Sequence, residues 1–271
     1  MNTLVSVAHT GGQGKTTVAQ LLYLAAKRFG QNYSIVAADF LDDSGHSKIG
    51  KLYPEIVQEF GVGASLTAAR AENNANAPVR YWDRLGQVFL TGDAIIDVGA
   101  NVFTSLLDWS VDRHLQKLMD KRNAPRVDFF CICKAERHAI DNLANLVSDI
   151  LKRNSFRLGK IYVVQNEVGG PFLTNIQERV DRAAGGYQVT YIKLPKCQSE
   201  IWQAMEKEGV SVERLLEMDE DEIVEKLGVD LWTAAAGLSE LRTWFDFNVR
   251  MLRDAVIFQI EGPRQAARKA S

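Results

Sequence analysis

The fold is decided by a glycine-rich stretch close to the N-terminus, Ala8-His9-Thr10-Gly11-Gly12-Gln13-Gly14-Lys15-Thr16-Thr17. We call it the phosphate loop. An apolar run, Leu4-Val5-Ser6-Val7-Ala8, precedes it and predicts a buried strand. The apolar residues that follow are spaced as one face of a helix, at Val18, Leu21, Leu22 and Ala25. Strand, glycine-rich turn, Gly-Lys-Thr and helix form the context that a phosphate-binding loop requires.

Each residue type in the loop suits a polyphosphate. The glycines let backbone N–H groups crowd around the phosphates, and the predicted contacts are Gly11, Gly12, Gln13, Gly14, Lys15, Thr16 and Thr17. Lys15 would place a positive charge on the outer phosphates, where it is also a candidate catalytic group. Thr16 would supply a hydroxyl to Mg²⁺.

The loop differs from the most common pattern, G-x-x-x-x-G-K-S/T, because His9 stands where that pattern has its first glycine. The pair Gly11-Gly12 instead resembles the K-G-G-x-G-K-S/T loop of the ParA/MinD partition and positioning ATPases. Members of that family carry a signature lysine before the glycine pair, and Thr10 occupies that position here. The resemblance implies that the ligands are ATP and Mg²⁺.

A second element supports the same reading. In Ala94-Ile95-Ile96-Asp97-Val98-Gly99 an apolar run leads into an aspartate and a glycine. This is typical of the strand whose carboxylate helps to hold Mg²⁺ in phosphate-loop ATPases. We therefore predict a metal site made by Thr16 and Asp97, with Gly99 allowing the next loop to lie close to the phosphates.

An acidic loop follows the second predicted strand, Tyr33 to Ala38, and runs from Asp39 to Ser47. Ligands bind at this end of a parallel sheet. In ParA and the nitrogenase iron protein, which the chain resembles, this is the first switch loop. The resemblance assigns Asp39 and Asp43 to the attacking water and Mg²⁺, with Asp42 as the alternative to Asp43. A solvated acidic turn also fits these residue types.

Later strands are predicted at 127–133, 160–166 and 189–194. The resemblance implies that Asn166, at the end of one, reads the adenine edge, although asparagine is also common in such turns. It implies as well that Pro195, after the last, packs on the base. Between residues 49 and 83 the pattern weakens to short helices and loops, which indicates a connector more than a partner-facing insertion.

Composition indicates an ordinary globular chain. It has 271 residues, of which 46% are hydrophobic, and a net charge of −2, so no global basic field points to nucleic acid. No apolar run reaches membrane-spanning length and no leader pattern precedes the first strand. Cys131 and Cys133 alternate within an apolar run, which indicates buried thiols. We expect a cytoplasmic protein with no membrane partner.

The predicted fold is α/β: a mostly parallel, doubly wound sheet with helices on both faces. We assign residues 1–215 to an ATPase domain and residues 216–271 to a helical extension packed on it. The extension carries six basic residues that, by the resemblance, would contact DNA phosphates: Arg242, Arg250, Arg253, Arg264, Arg268 and Lys269. A solvated face fits them equally well, because the chain is slightly acidic overall.

The resemblance implies a homodimer formed on ATP binding, non-specific DNA association on the nucleoid, and an adaptor or cargo protein as partner. The loop and the segment from Asp97 to Asn101 also resemble the TraL- and StbB-like accessory ATPases of conjugative plasmids. Thr10 supplies no charge, and a cation reaching across an interface contributes about 10³–10⁵ in rate, so we expect slow hydrolysis. The alternatives are a pseudo-ATPase adaptor or a small-molecule kinase or synthetase.

Overall fold

A computed structural model describes residues 1–61, 77–172 and 175–257, with side chains from residue 82 in the second range. Within these ranges the chain forms a seven-stranded sheet. The strands are β1 (Thr3–Val7), β2 (Ser34–Asp39), β3 (Val57–Gly61), β4 (Ala94–Val98), β5 (Val127–Lys134), β6 (Leu158–Asn166) and β7 (Val189–Leu194).

The strands lie in the order β3-β2-β4-β1-β5-β6-β7, and every pair is parallel. The chain leaves β1 toward β2 on one side and later crosses from β4 to β5 on the other. In such a sheet a crevice forms beyond the carboxyl end of the strand where the direction changes. The predicted α/β class with a parallel, doubly wound sheet is confirmed.

Eleven α-helices occur in the described part of the chain, and the last four follow β7. They are α1 (Lys15–Arg28), α2 (Lys48–Leu52), α3 (Ala77–Thr91), α4 (Phe103–Asp112), α5 (Leu115–Lys121), α6 (Arg137–Arg153), α7 (Ile176–Ala184), α8 (Trp202–Glu208), α9 (Val212–Glu217), α10 (Glu220–Leu227) and α11 (Leu231–Leu252). A 3₁₀ turn, Glu167–Gly169, follows β6, and a π-turn, Arg253–Ile257, extends α11.

The side chains of each strand alternate between two hydrophobic cores, because successive residues point to opposite faces of a sheet. Leu4 of β1 lies in the core that includes α1, α2 and α8 to α11. Its neighbour Val5 lies in the core that α3 to α7 cover. Cys131 and Cys133 are buried in this second core, as predicted.

The C-terminal helices share the first core with α1. Leu238 and Leu241 of α11 are buried in the cluster that contains Leu21 and Leu22 of α1. Two ion pairs join α1 to the C-terminal helices at the surface, Lys27 to Glu213 of α9 and Arg28 to Asp246 of α11. The described helices beyond residue 215 therefore pack on the sheet domain, while the boundary at residue 215 stays a prediction.

The weakly patterned segment contains a strand that the sequence did not predict. β3 pairs with β2 at the edge of the sheet, with Asp39 opposite Gly61. Its side chains are half-buried or exposed, so it lacks the continuous apolar run of the central strands. Residues 62–76 of the segment lie outside the described residues.

Candidate nucleotide-binding site

The phosphate loop joins β1 to α1 at the carboxyl edge of the sheet. Gly12 and Gly14 have φ angles of 72° and 100°, in the region that favours glycine. A Cβ atom on Gly14 would lie 2.5 Å from Nδ2 of Asn166. Glycine is therefore required at position 14 both by backbone conformation and by the close approach of β6.

The N-terminal end of α1 is left open. Gly14 is its N-cap residue, so no side chain caps the helix, and its first turn contains no acidic residue. The first N–H groups of an α-helix have no partner within the helix, and together with the helix dipole they favour an anion. This end of α1 has the features of an anion-binding site.

Two side chains anchor the loop to the neighbouring strands. The backbone N–H of Lys134 donates to Oε1 of the buried Gln13 at 2.8 Å. Nδ2 of Asn166 donates to the Gln13 carbonyl at 2.8 Å, and its Oδ1 accepts from the Val168 N–H at 3.2 Å. Asn166 thus holds the loop against β6, an arrangement that sequence reasoning missed, and its contact with adenine stays a prediction.

Lys15 begins α1 beside two carboxylates. Partial burial lowers the pKa of its ammonium, and the electrostatic attraction of Asp97 and Asp39 acts in the opposite direction. Desolvation penalises a charge that lacks close partners, so a buried lysine beside an open helix end is stabilised by an incoming anion.

Thr16 and Asp97 are brought together as predicted for a metal site. The Thr16 hydroxyl donates to Oδ2 of Asp97 at 2.7 Å. Asp97 is only 6% exposed, and burial raises its pKa to about 6. Its other oxygen, Oδ1, is buried and accepts no hydrogen bond from the described residues. A buried oxygen in need of a positive partner, next to a hydroxyl, fits Mg²⁺.

Asp39, at the end of β2, lies across the turn that follows β4. A Cβ atom on Gly99 would be 1.9 Å from Oδ1 of Asp39, so only glycine admits the carboxylate here. Asp39 acts electrostatically on both Lys15 and Asp97, raising the pKa of each. Asp39 and Asp97, which the sequence assigned to different roles, therefore both act on the lysine of the phosphate loop.

The neighbouring aspartates differ in their contacts. Oδ1 of Asp42 accepts hydrogen bonds from the Ser44 N–H at 2.9 Å and the Ser44 hydroxyl at 2.6 Å. An ion pair with Lys51 holds the pKa of Asp42 well below its usual range. Asp42 thus shapes the turn, and both Asp42 and Asp43 are exposed. The role of Asp43 at the switch stays a prediction.

A cleft of about 520 Å³ opens beside the loop. Gly12, Gly14, Thr17, Asn166 and Pro195 line it, together with the indoles of Trp202 and Trp244. Nε1 of Trp244 donates to the Pro195 carbonyl at 2.7 Å, and the two indoles meet edge to face at 5.1 Å. The tryptophans were not predicted, because Trp244 comes from α11 and only the fold brings it to the loop.

The six residues predicted to contact DNA differ in their surroundings. Arg242 and Arg250 are exposed on α11. Arg253 pairs with Asp254 at 2.7 Å and lies over the ring of Phe29 at 5.5 Å. Arg264, Arg268 and Lys269 lie outside the described residues. Within the described ranges, no helix has the length and hydropathy needed to cross a membrane.

Neither a protein-family model nor a curated protein matches this sequence. Solved structures with a similar fold include Cyanothece McdA in complex with ATP, at 16% identity and a TM-score of 0.41, covering 85% of this chain and 97% of that one. Another is the MinD cell division protein of Aquifex aeolicus, at 12% identity and a TM-score of 0.47, covering 91% and 97%.

A third is a ParA family ATPase from Chlorobium tepidum TLS, at 14% identity and a TM-score of 0.44, covering 92% of this chain and 97% of that one. All three structures align along most of their length but with few identical residues. Likenesses of this strength carry no functional role to this chain, so its function has to be argued from its own site.

Proposed function

We propose that this protein binds Mg·ATP at the phosphate loop and hydrolyses it slowly, as a nucleotide-switched ATPase of the ParA/MinD type. The observation that carries the proposal is the open N-terminal end of α1 beside the hydrogen-bonded pair of Thr16 and Asp97, 2.7 Å apart. An uncapped helix end binds phosphate, and a hydroxyl with a carboxylate binds the metal that accompanies it.

The phosphates would lie along the loop backbone, with the Lys15 ammonium on the outer ones. Backbone N–H groups provide fixed dipoles that need no reorganisation when the anion arrives. Because burial disfavours the charge on Lys15 in the free protein, the phosphate supplies the partner that the ammonium lacks.

Thr16 and Asp97 would hold the ion, which supplies charge neutralisation on the phosphate oxygens. Mg²⁺ keeps several water ligands and takes few groups from the protein, so one hydroxyl and one carboxylate suffice. The unpartnered Oδ1 of Asp97 would accept from a metal-bound water. Asp39, which lies against Gly99, would orient the attacking water.

The base would enter the cleft that Pro195 and the indole of Trp244 both line. Both groups are fixed, since the Trp244 N–H is bound to the Pro195 carbonyl at 2.7 Å. A flat aromatic surface and a proline ring offer stacking and apolar contact to a purine. Asn166, also in the lining, retains one amide N–H for the base, because its other contacts use Oδ1 and one donor.

The switching role is the finer part of the proposal and rests on the sequence resemblance. Thr10, Gly11 and Gly12 are exposed, so a second copy of the chain has access to the bound phosphates. We propose a dimer formed on ATP binding that acts in positioning, stability or conjugative transfer of a plasmid or another cargo. Arg242 and Arg250 are the described residues available for non-specific DNA contact.

The test is calorimetric titration with Mg·ATP, followed by phosphate release and light scattering with and without nucleotide. The proposal expects saturable binding, turnover well below that of ordinary kinases, and a doubling of mass with ATP. Absence of ATP binding, with a partner still captured, would establish the pseudo-ATPase adaptor instead. Rapid transfer of phosphate to a small molecule would establish the kinase alternative.

DNA association is measured separately, by gel shift with random-sequence duplex at low and high salt. Phosphate contacts by a few arginines give binding that weakens steeply with salt. Binding at low salt that requires ATP, and that falls in the double variant Arg242→Gln and Arg250→Gln, supports this part. No shift at low salt in either nucleotide state removes it without affecting the ATPase.

A further inference from the structure

A second lysine, Lys48, stands at the same end of the sheet as Lys15. It is the first residue of α2, directly after the switch loop that follows β2. Sequence reasoning passed over it, because a five-residue helix gives no clear periodicity. None of the ion pairs formed within the described ranges involves Lys48, whereas Lys51, on the same helix, is paired with Asp42.

The packing of α2 on α1 fixes the position of Lys48 relative to the sheet. The hydroxyl of Tyr53 donates to Oε1 of Gln20 at 3.5 Å, and the Tyr53 ring meets that of Tyr23 edge to face at 5.7 Å. Glu59, which binds Ser47 at the start of α2, lies opposite Ala37 of β2, and Ala37 lies opposite Asp97 of β4. Lys48 therefore begins α2 at the level of Asp97 in the sheet.

The backbone that carries Lys48 is fixed by Glu59 of β3. Oε1 of Glu59 accepts from the Ser47 N–H at 2.9 Å and from the Ser47 hydroxyl at 3.1 Å. The Ser47 oxygen in turn caps α2 by accepting from the Gly50 N–H at 3.0 Å. Edge strand, cap and helix together hold the start of α2 in place, while the Lys48 side chain is exposed.

The charge of Lys48 acts on the two residues assigned above to the phosphates and the metal, Lys15 and Asp97. It lowers the pKa of the Lys15 ammonium and the pKa of the Asp97 carboxyl, so it acts electrostatically on both. Lys15 and Lys48 balance the carboxylates of Asp39 and Asp97. Without Lys48 the same cluster would carry a net negative charge, which opposes the binding of Mg·ATP, itself an anion.

We propose that the Lys48 ammonium binds the terminal phosphate of Mg·ATP within the same chain. Lys48 then provides a second positive charge at the phosphates, which the uncharged Thr10 of the phosphate loop cannot provide. The inference rests on the proposed function, since it needs a triphosphate bound at the loop. It makes Lys48 a sensor of the third phosphate, which joins the switch loop and the edge strand to the nucleotide state.

The experiment compares Mg·ATP and Mg·ADP binding to the full chain by calorimetry for the wild type, Lys48→Gln, Lys48→Arg and Lys152→Gln. Lys152 is an exposed lysine in the last turn of α6, toward the amino ends of the strands and away from the phosphate loop. It serves as the matched charge control. Loss of a charge-assisted contact predicts that Lys48→Gln weakens Mg·ATP binding about 10- to 100-fold.

Mg·ADP binding should change less than about twofold in Lys48→Gln, because the sensed phosphate is absent. Lys48→Arg should retain most of the preference for ATP, and Lys152→Gln should match the wild type. Equal weakening of ATP and ADP, or no weakening of either, overturns the inference and leaves the proposed function standing. A wild type that binds neither nucleotide overturns the proposed function itself.

Discussion

Two kinds of helix start occur in this molecule. α10 begins with a capping box, in which Asp219 accepts from the Glu222 N–H at 2.9 Å and Glu222 accepts from the Asp219 N–H at 3.0 Å. α11 begins with Asp230, which accepts from two backbone N–H groups. α1 begins with Gly14 and, like α4, α5, α6 and α8, has no side-chain cap.

This difference distinguishes helix ends that stabilise the fold from a helix end that can bind a ligand. A capping side chain contributes about 1 kcal/mol by satisfying N–H groups that would otherwise need water. At α1 those groups remain available, and the helix is held instead by its buried face, including Val18, Leu21 and Leu22. The capped ends stabilise the protein. The start of α1 differs from the other uncapped ends in having Lys15, Thr16 and Asp97 around it, which suit a ligand.

Removing the cation at the open end gives the largest expected effect. Lys15→Ala should weaken Mg·ATP binding by about 100-fold, since it removes a charge-assisted contact to the phosphates. The melting temperature of the free protein should change little, because the desolvation of the ammonium and its attraction to Asp97 and Asp39 act in opposite directions. Calorimetric titration and thermal unfolding measure the two quantities. Retained affinity would mean that the open end is not the phosphate site.

The carboxylate at the open end should make binding depend on pH. Burial raises the pKa of Asp97 to about 6, so below pH 6 the free protein holds a proton that Mg²⁺ must displace. Affinity for Mg·ATP should fall by up to about tenfold for each pH unit below 6. Titrations from pH 5 to 8 test this.

Asp97→Asn is the control, because it retains only the titration of the nucleotide itself. The proton on Asp97 also affects the stability of the folded protein. The native state keeps it up to about pH 6, whereas an ordinary aspartate loses it near 3.8, so the free wild type loses stability as pH rises through this interval. Above pH 6, Asp97→Asn should therefore unfold at a higher temperature than the wild type. Equal or lower stability of the variant would contradict the shifted pKa.

A closed end should show the reverse pattern. Asp230→Ala removes the cap of α11 and should lower the free energy of unfolding by about 1 kcal/mol. Affinity for Mg·ATP should not change, since Asp230 lies outside the loop and the cleft. Denaturant unfolding and calorimetry are the measurements. A loss of affinity without a loss of stability would break the division between the two kinds of helix end.

The smallest effect is expected where α11 meets the cleft. Trp244→Phe keeps an aromatic wall but removes the hydrogen bond to the Pro195 carbonyl. This bond of about 1 kcal/mol lies within the protein and fixes Pro195, so its loss should weaken the binding of adenosine nucleotides at most several-fold. Inorganic triphosphate, which has no base, should bind as it does to the wild type. An equal loss for both ligands would place the effect at the loop.

The sequence predicted the central part of the fold because its strands are continuous apolar runs. β1, β4 and β5 are buried on both faces, and such runs are visible without any tertiary information. The pair of Thr16 and Asp97 was predictable as well, since each belongs to a local motif. The edge strand β3 was missed, because half-exposed residues give no such run.

The remaining site residues depend on contacts between distant segments. Asn166 anchors the loop through the Gln13 carbonyl, and Trp244 reaches the cleft from a helix that follows the predicted domain. Lys48 is placed by the packing of Tyr53 on α1. No local pattern encodes these positions, because each results from how the helices lie on the sheet.

The most direct test of the open helix end is a crystal structure with Mg²⁺ and a non-hydrolysable ATP analogue. The account predicts phosphates on the N–H groups that begin α1, and Mg²⁺ bound by the Thr16 hydroxyl, with a metal-bound water on Oδ1 of Asp97. It predicts the base in the cleft that Pro195 and Trp244 line. A nucleotide bound elsewhere, or a Thr16–Asp97 hydrogen bond that persists with no metal beside it, would contradict the account.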